Sequence, residues 1–111
     1  MGIVNRSFTY KTRIKVSTED LNLARAGKKK CTIRVGTLSV GRETLDLTDG
    51  SQALKIRIVK VENDRKYGAL TDEDAINDGL DSKAALDADL KKFYGRIDPE
   101  QPMTVIHFQL V

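Results

Sequence analysis

The chain has 111 residues, 40% of them hydrophobic, with a net charge of +3 at pH 7 and a sequence pI of about 9.1. That is one domain's worth of chain, so residues 1–111 are read as a single domain with its own core. The one cysteine, Cys31, excludes an internal disulfide and makes a cytoplasmic setting the default; MGIVNRSF is not a signal peptide, and no stretch nears the roughly 18 apolar residues of a membrane helix, so no membrane partner is expected.

The charge is uneven. Residues 1–34 hold nine Lys and Arg against Glu19 and Asp20, a net of +7, while the remainder nets −4. Such asymmetry hints at an anionic partner, or is merely an uneven solvated surface.

Residues 8–16, FTYKTRIKV, alternate strictly and predict a half-buried strand. Its outer face carries Lys11, Arg13 and Lys15, a basic stripe. A helix over 18–26 follows, with Ser17 as N-cap, Asp20 completing a capping box and Gly27 as the left-handed stop. KKCTIRV (29–35) reads as the second strand, Cys31 and Ile33 on one face, Thr32 and Arg34 on the other. Gly36 and Gly41 bracket TLSV, a short extended piece. TLDL (44–47), the Asp49-Gly50 turn and ALKIRIVKV (53–61) form a hairpin, and the break in alternation at Ile58-Val59 predicts a bulge.

Thr71 and Asp74 form a second capping box, opening a helix near 72–78 that Gly79 ends. A longer helix runs from Asp81 or Ser82 to about Tyr94, with Leu86, Leu90 and Phe93 on one apolar face and Gly95 as its stop. MTVIHFQLV closes the chain as a strand. The order is strand, helix, four or five strands, two helices, strand. It lacks a βαβ rhythm and predicts an α+β fold built on a small barrel or strongly bent sheet.

The run Gly27-Lys28-Lys29-Lys30-Cys31-Thr32-Ile33-Arg34 resembles the ASCH signature G-x-K-x-x-T-x-R. Gly41 and Leu45, Leu54 to Val61, Leu70 to Ala75, Phe93-Tyr94-Gly95 and Met103 to Val111 resemble later pieces of that family's pattern, in the same order. The resemblance implies a PUA-like β-barrel of five to six strands with three flanking helices, and a cleft between barrel and helices. The family is associated with RNA binding and RNA-linked chemistry. Some small bacterial members are amidohydrolases that deacetylate N4-acetylcytidine.

Carried across motif by motif, the resemblance implies Lys29 as base, Thr32 as nucleophile and Asp78 as their acidic partner. Asp78 departs from the glutamate of those hydrolases and reaches one methylene less far. Lys28, Lys30, Arg34, Arg13 and Lys15 are candidates for holding phosphate, and Tyr94 for stacking on a base. Each has a plain structural alternative: a solvated charge run, an ion pair, a helix-end core aromatic. His107 has no second His or Cys beside it, so no metal site is read, and no cofactor is expected.

The first expectation is an RNA- or nucleoside-binding domain; the second is the amidohydrolase; the third is a non-catalytic protein-interaction domain. All require Lys29, Thr32 and Arg34 to meet the stretch around Asp78 at one solvent-reachable hollow, apart from the third. The oligomeric state stays open.

Overall fold

A computed structural model describes residues 12–40 and 43–111. The elements in chain order are β1 (Arg13–Lys15), α1 (Thr18–Arg25), β2 (Cys31–Val35), β3 (Thr44–Thr48), β4 (Ala53–Lys66), a 3-10 turn (Tyr67–Ala69), α2 (Asp72–Asn77), α3 (Lys83–Tyr94) and β5 (Pro102–Leu110). The fold is α+β as expected, a curled mixed sheet of five strands, a half-barrel, with three helices. Among the described residues, three strands, not four or five, lie between α1 and α2.

The sheet order is β1-β3-β4-β5-β2. β1 pairs parallel to β3, and every other neighbouring pair is antiparallel. The chain therefore places its first two strands at opposite edges of the sheet. β5, last in sequence, sits inside it between β4 and β2.

Local chemistry explains the helix ends. The Ser17 side chain accepts from the Asp20 N–H, the Thr71–Asp74 capping box is complete, and Ser82 caps α3 through the Ala85 N–H. Gly27 and Gly79 follow α1 and α2 with φ of +76° and +93°, the left-handed geometry that suits glycine. The predicted bulge is present: the β4–β5 register shifts between Ile58 and Lys60, and Val59 is exposed.

Because β5 is internal, both of its faces are covered. Ile106 and Phe108 pack with Ile14, Val16, Leu21, Ala24, Leu45, Leu47 and Ile56, so that α1 covers this side. Met103 and Val105 pack with Cys31, Ile33, Leu70, Ala75, Leu86 and Leu90 beneath α2 and α3. Burying a leucine such as Leu21 or Leu86 completely is worth about 1.5–3 kcal/mol. The two sides of β2 thus meet different partners: Cys31 and Ile33 join the helix-covered core, while Thr32 pairs across to Ile106 and Arg34 to Thr104.

Several expectations change. β4 continues five residues beyond Val61, through a second register shift between Glu62 and Arg65. TLSV (37–40) forms no strand. Phe93 is 75% exposed rather than on the buried face of α3 with Leu86 and Leu90. Residues 8–11 of the first predicted strand, and Gly41, lie outside the described residues.

Candidate functional site

The α1–β2 turn sets the site. The backbone N–H groups of Lys28 and Lys29 both donate to the Leu23 carbonyl, at 2.9 and 3.1 Å, and that of Lys30 donates to the Asn77 carbonyl at 2.6 Å. This fastens the turn to the C-terminal end of α2. Three consecutive lysines then diverge: Lys28 and Lys30 are exposed, and Lys29 is buried at 3% exposure.

The Lys29 Nζ donates to the Asp78 backbone carbonyl at 3.1 Å and pairs with its carboxylate Oδ1. Asp78 is the C-cap of α2 and is itself buried. Burial pushes its carboxyl up to about 6, opposed by the charge of Lys29 and by its hydrogen bond; Asp20 adds to the rise and Arg34 opposes it. A buried lysine and a buried aspartate are uncommon without a partner, and here each partners the other.

Thr32, 2% exposed on β2, accepts a hydrogen bond from Arg34 Nε at 3.2 Å. Arg34 also donates from Nη2 to the Lys15 backbone carbonyl on β1 at 2.7 Å. Lys29 is thus paired with Asp78 and Arg34 with Thr32, the charge of Arg34 is felt at Asp78, and Arg34 ties β2 to the opposite edge strand β1. Arg13 and Lys15 are exposed on β1 alongside.

Direct contacts within this group run in two pairs, Lys29 with Asp78 and Arg34 with Thr32. Two surface hollows adjoin the α1–β2 turn, and neither is the expected shared one. One, of about 360 Å³, is bordered by Lys29, Lys30, Val59, Phe108 and Leu110. The other, of about 470 Å³, is bordered by Leu23, Lys28, Lys30, Ile76 and Asp81. Thr32, Arg34 and Asp78 border neither; Thr32 and Asp78 are buried and Arg34 is half-buried. Tyr94, the last residue of α3, is 45% exposed and also borders neither.

Sequence reading missed a second polar group. His107 Nε2 lies 2.7 Å from Glu62 Oε1, and Arg65 reaches both Glu62 and Asp74. The charged run after Val61 was its only signal. Cys31 is core, as expected, and burial pushes its thiol up to about 12.

No family model matches the sequence, and no curated protein does. Solved structures do. The crystal structure of an ASCH domain from Lactobacillus crispatus is similar at a TM-score of 0.73 and 17% identity, covering 96% of this chain and 86% of that one. The chain has an ASCH-like fold. A DUF984 protein from Enterococcus faecalis is similar to this ASCH-like chain at a TM-score of 0.63 and 20% identity, covering 94% of this chain and 82% of that one. A hypothetical protein, PH0355, has a TM-score of 0.69 and 16% identity, over 89% of this chain and 97% of that one. Likeness at these identities establishes the fold alone.

Proposed function

We propose that this ASCH-like domain binds RNA or a modified nucleoside at the seam between β1 and β2. The observation that carries this reading is a polar group of buried Lys29, Thr32 and Asp78 with half-buried Arg34, and the exposed cations Arg13, Lys15, Lys28 and Lys30 on the segments around it. Exposed cations suit phosphate, whose contacts are dominated by charge. Buried, oriented donors and acceptors suit the edge of a base, where an unpaired polar group is costly and selective. The resemblance in the Gly27–Arg34 run points the same way.

The test is a titration of short single-stranded RNA, and separately of N4-acetylcytidine, at two salt concentrations. RNA affinity is expected to fall about tenfold or more between 50 and 200 mM salt if several phosphates are held. A charge-removing Lys15→Ala and Lys30→Ala double variant is expected to weaken RNA binding and flatten that slope. Absence of binding to both probes sinks the reading.

A second reading is favoured by the meeting of Lys29 with Asp78, and of Thr32 with Arg34, at one place: hydrolysis of the acetyl amide of N4-acetylcytidine. Thr32 Oγ1 would attack the acetyl carbonyl, its proton passing to a neutral Lys29; cytidine leaves with a proton on its amino nitrogen, and water then releases acetate from the threonyl ester. Two features weigh against it as the primary reading. Lys29 Nζ is taken up by the Asp78 carboxylate and backbone carbonyl, and the Thr32 hydroxyl faces Arg34, with no hydrogen bond to the lysine. Acetate release by the wild-type protein, abolished in Thr32→Ala and in Lys29→Ala, is the outcome that establishes hydrolysis; no release by pure wild-type protein removes it.

A further inference from the structure

α2 is six residues long and carries a buried carboxylate at each end, Asp74 near its start and Asp78 at its C-cap. A helix this short does not hold itself in water, because nucleation is unfavourable and few hydrogen bonds follow it. Its place is set by what grips it.

The grip at the start is extensive. Asp74 accepts from the Thr71 N–H at 2.8 Å and from the Thr71 hydroxyl at 3.1 Å. Arg65 forks across both of its carboxylate oxygens, Nη1 to Oδ1 at 3.3 Å and Nη2 to Oδ2 at 2.5 Å. Arg65 comes from β4 immediately after the second register shift, so the irregularity that sequence reading missed is what aims it. Arg65 Nη1 also reaches Glu62 Oε1 at 3.4 Å, and Glu62 is held in turn by His107 on β5. The clamp is thus anchored to the middle of the sheet.

The other end is poorly suited to its occupant. A carboxylate at a helix C-terminus faces the negative end of the helix dipole. Asp78 is also buried and has Asp20 within electrostatic reach; its compensating charges are Lys29 and Arg34. An aspartate left to local preference would turn to water.

We infer that Arg65 is a positioning residue for the Lys29–Asp78 pair: by clamping Asp74, it holds α2 where the Asp78 carboxylate meets Lys29. The helix acts as a rigid spacer between two ion pairs, with Ala75 packed beneath it in the core shared with Cys31 and Leu86. The consequence for a ligand rests on the proposed function; the geometric claim does not.

The experiment is a carboxyl-carbon NMR titration of Asp78 in wild-type protein and in Arg65→Met, Asp74→Asn and Arg65→Lys. The wild type is expected to titrate about 6. Loss of the clamp in Arg65→Met or Asp74→Asn is expected to release Asp78 toward water and bring the value down toward about 4, with Arg65→Lys between the two. An Asp78 titration that stays at the wild-type value in a folded Arg65→Met or Asp74→Asn protein overturns the inference, even if stability has dropped. Should Arg65→Met fail to fold, Asp74→Asn decides, since it keeps the side chain's shape and one acceptor oxygen for the cap while removing the charge and the second oxygen that the Arg65 fork needs. N4-acetylcytidine affinity, measured on the same proteins, is expected to fall with the Asp78 value. If the wild type does not bind that probe, the NMR result still stands or falls by itself.

Discussion

Arg34, on one edge strand of the sheet, donates from Nη2 to the backbone carbonyl of Lys15 on the other edge, 2.7 Å away. Among the described residues no ladder of backbone hydrogen bonds joins β1 to β2, and this guanidinium bridges the seam of the half-barrel while its Nε engages Thr32. The same side chain couples the curl of the sheet to the orientation of the Thr32 hydroxyl.

Removing the bridge should open the seam. Arg34→Ala is expected to cost about 1.5–3 kcal/mol, the range for hydrogen bonds to charged groups. Urea unfolding measures the loss, and amide exchange should quicken at Val16, whose N–H pairs with the Thr48 carbonyl at the end of β1. Unchanged exchange at β1 in a destabilised Arg34→Ala protein would show that the bridge does not hold the edge.

Lys29→Met leaves the Asp78 carboxylate buried with no direct partner. Breaking one side of a buried pair costs about 3–5 kcal/mol. Asp78 escapes part of that cost by taking up a proton, so its titration should move above the wild-type value of about 6 and the destabilisation should be smaller at pH 5 than at pH 7. Denaturant unfolding at the two pH values checks this. An equal loss at both would mean that Asp78 is not the group left stranded.

The raised Asp78 carboxyl also fixes the sign of a pH dependence. Its ordinary value is 3.8 and its folded value about 6, so the folded state binds this proton more tightly than the unfolded chain. Its contribution to stability is full below pH about 4 and is lost as pH rises through 6, an effect on the order of 2–3 kcal/mol. Glu62 and Asp74 are shifted the other way, chiefly by the His107 hydrogen bond for Glu62 and by Arg65 and Thr71 against burial for Asp74. Their contributions are lost as pH falls below the ordinary carboxylate range, outside the window of Asp78. Stability measured from pH 4.5 to 6.5 should therefore decline in the wild type and lose that slope in Asp78→Asn. Matching slopes in the two proteins would refute the assignment.

Much of the chain was legible before any coordinates. Ser17, Thr71 and Ser82 mark the three helix starts because a short hydroxyl side chain satisfies first-turn N–H groups wherever it stands. Asp49-Gly50 marks the hairpin for an equally local reason: Asp49 Oδ1 accepts from the N–H groups of Ser51 and Gln52, and Gly50 takes φ +101°. The end of β4 was illegible because Glu62 to Lys66 reads as a solvated charge run, and only β5 and the partners of Glu62 and Arg65 make it strand. Phe93 keeps the helical spacing of Leu86 and Leu90, but spacing does not say where a helix outruns the surface it packs on.

The sequence by itself determined the elements, their stops and the Gly27–Arg34 run that carries the resemblance, since all of these depend on residues a few positions apart. Only the tertiary structure decided which of three adjacent lysines turns inward, and that Asp78 and Lys15, distant in the chain, would meet Lys29 and Arg34. Burial depth and long-range pairing are set by what the rest of the chain packs against a residue, and no local period records that.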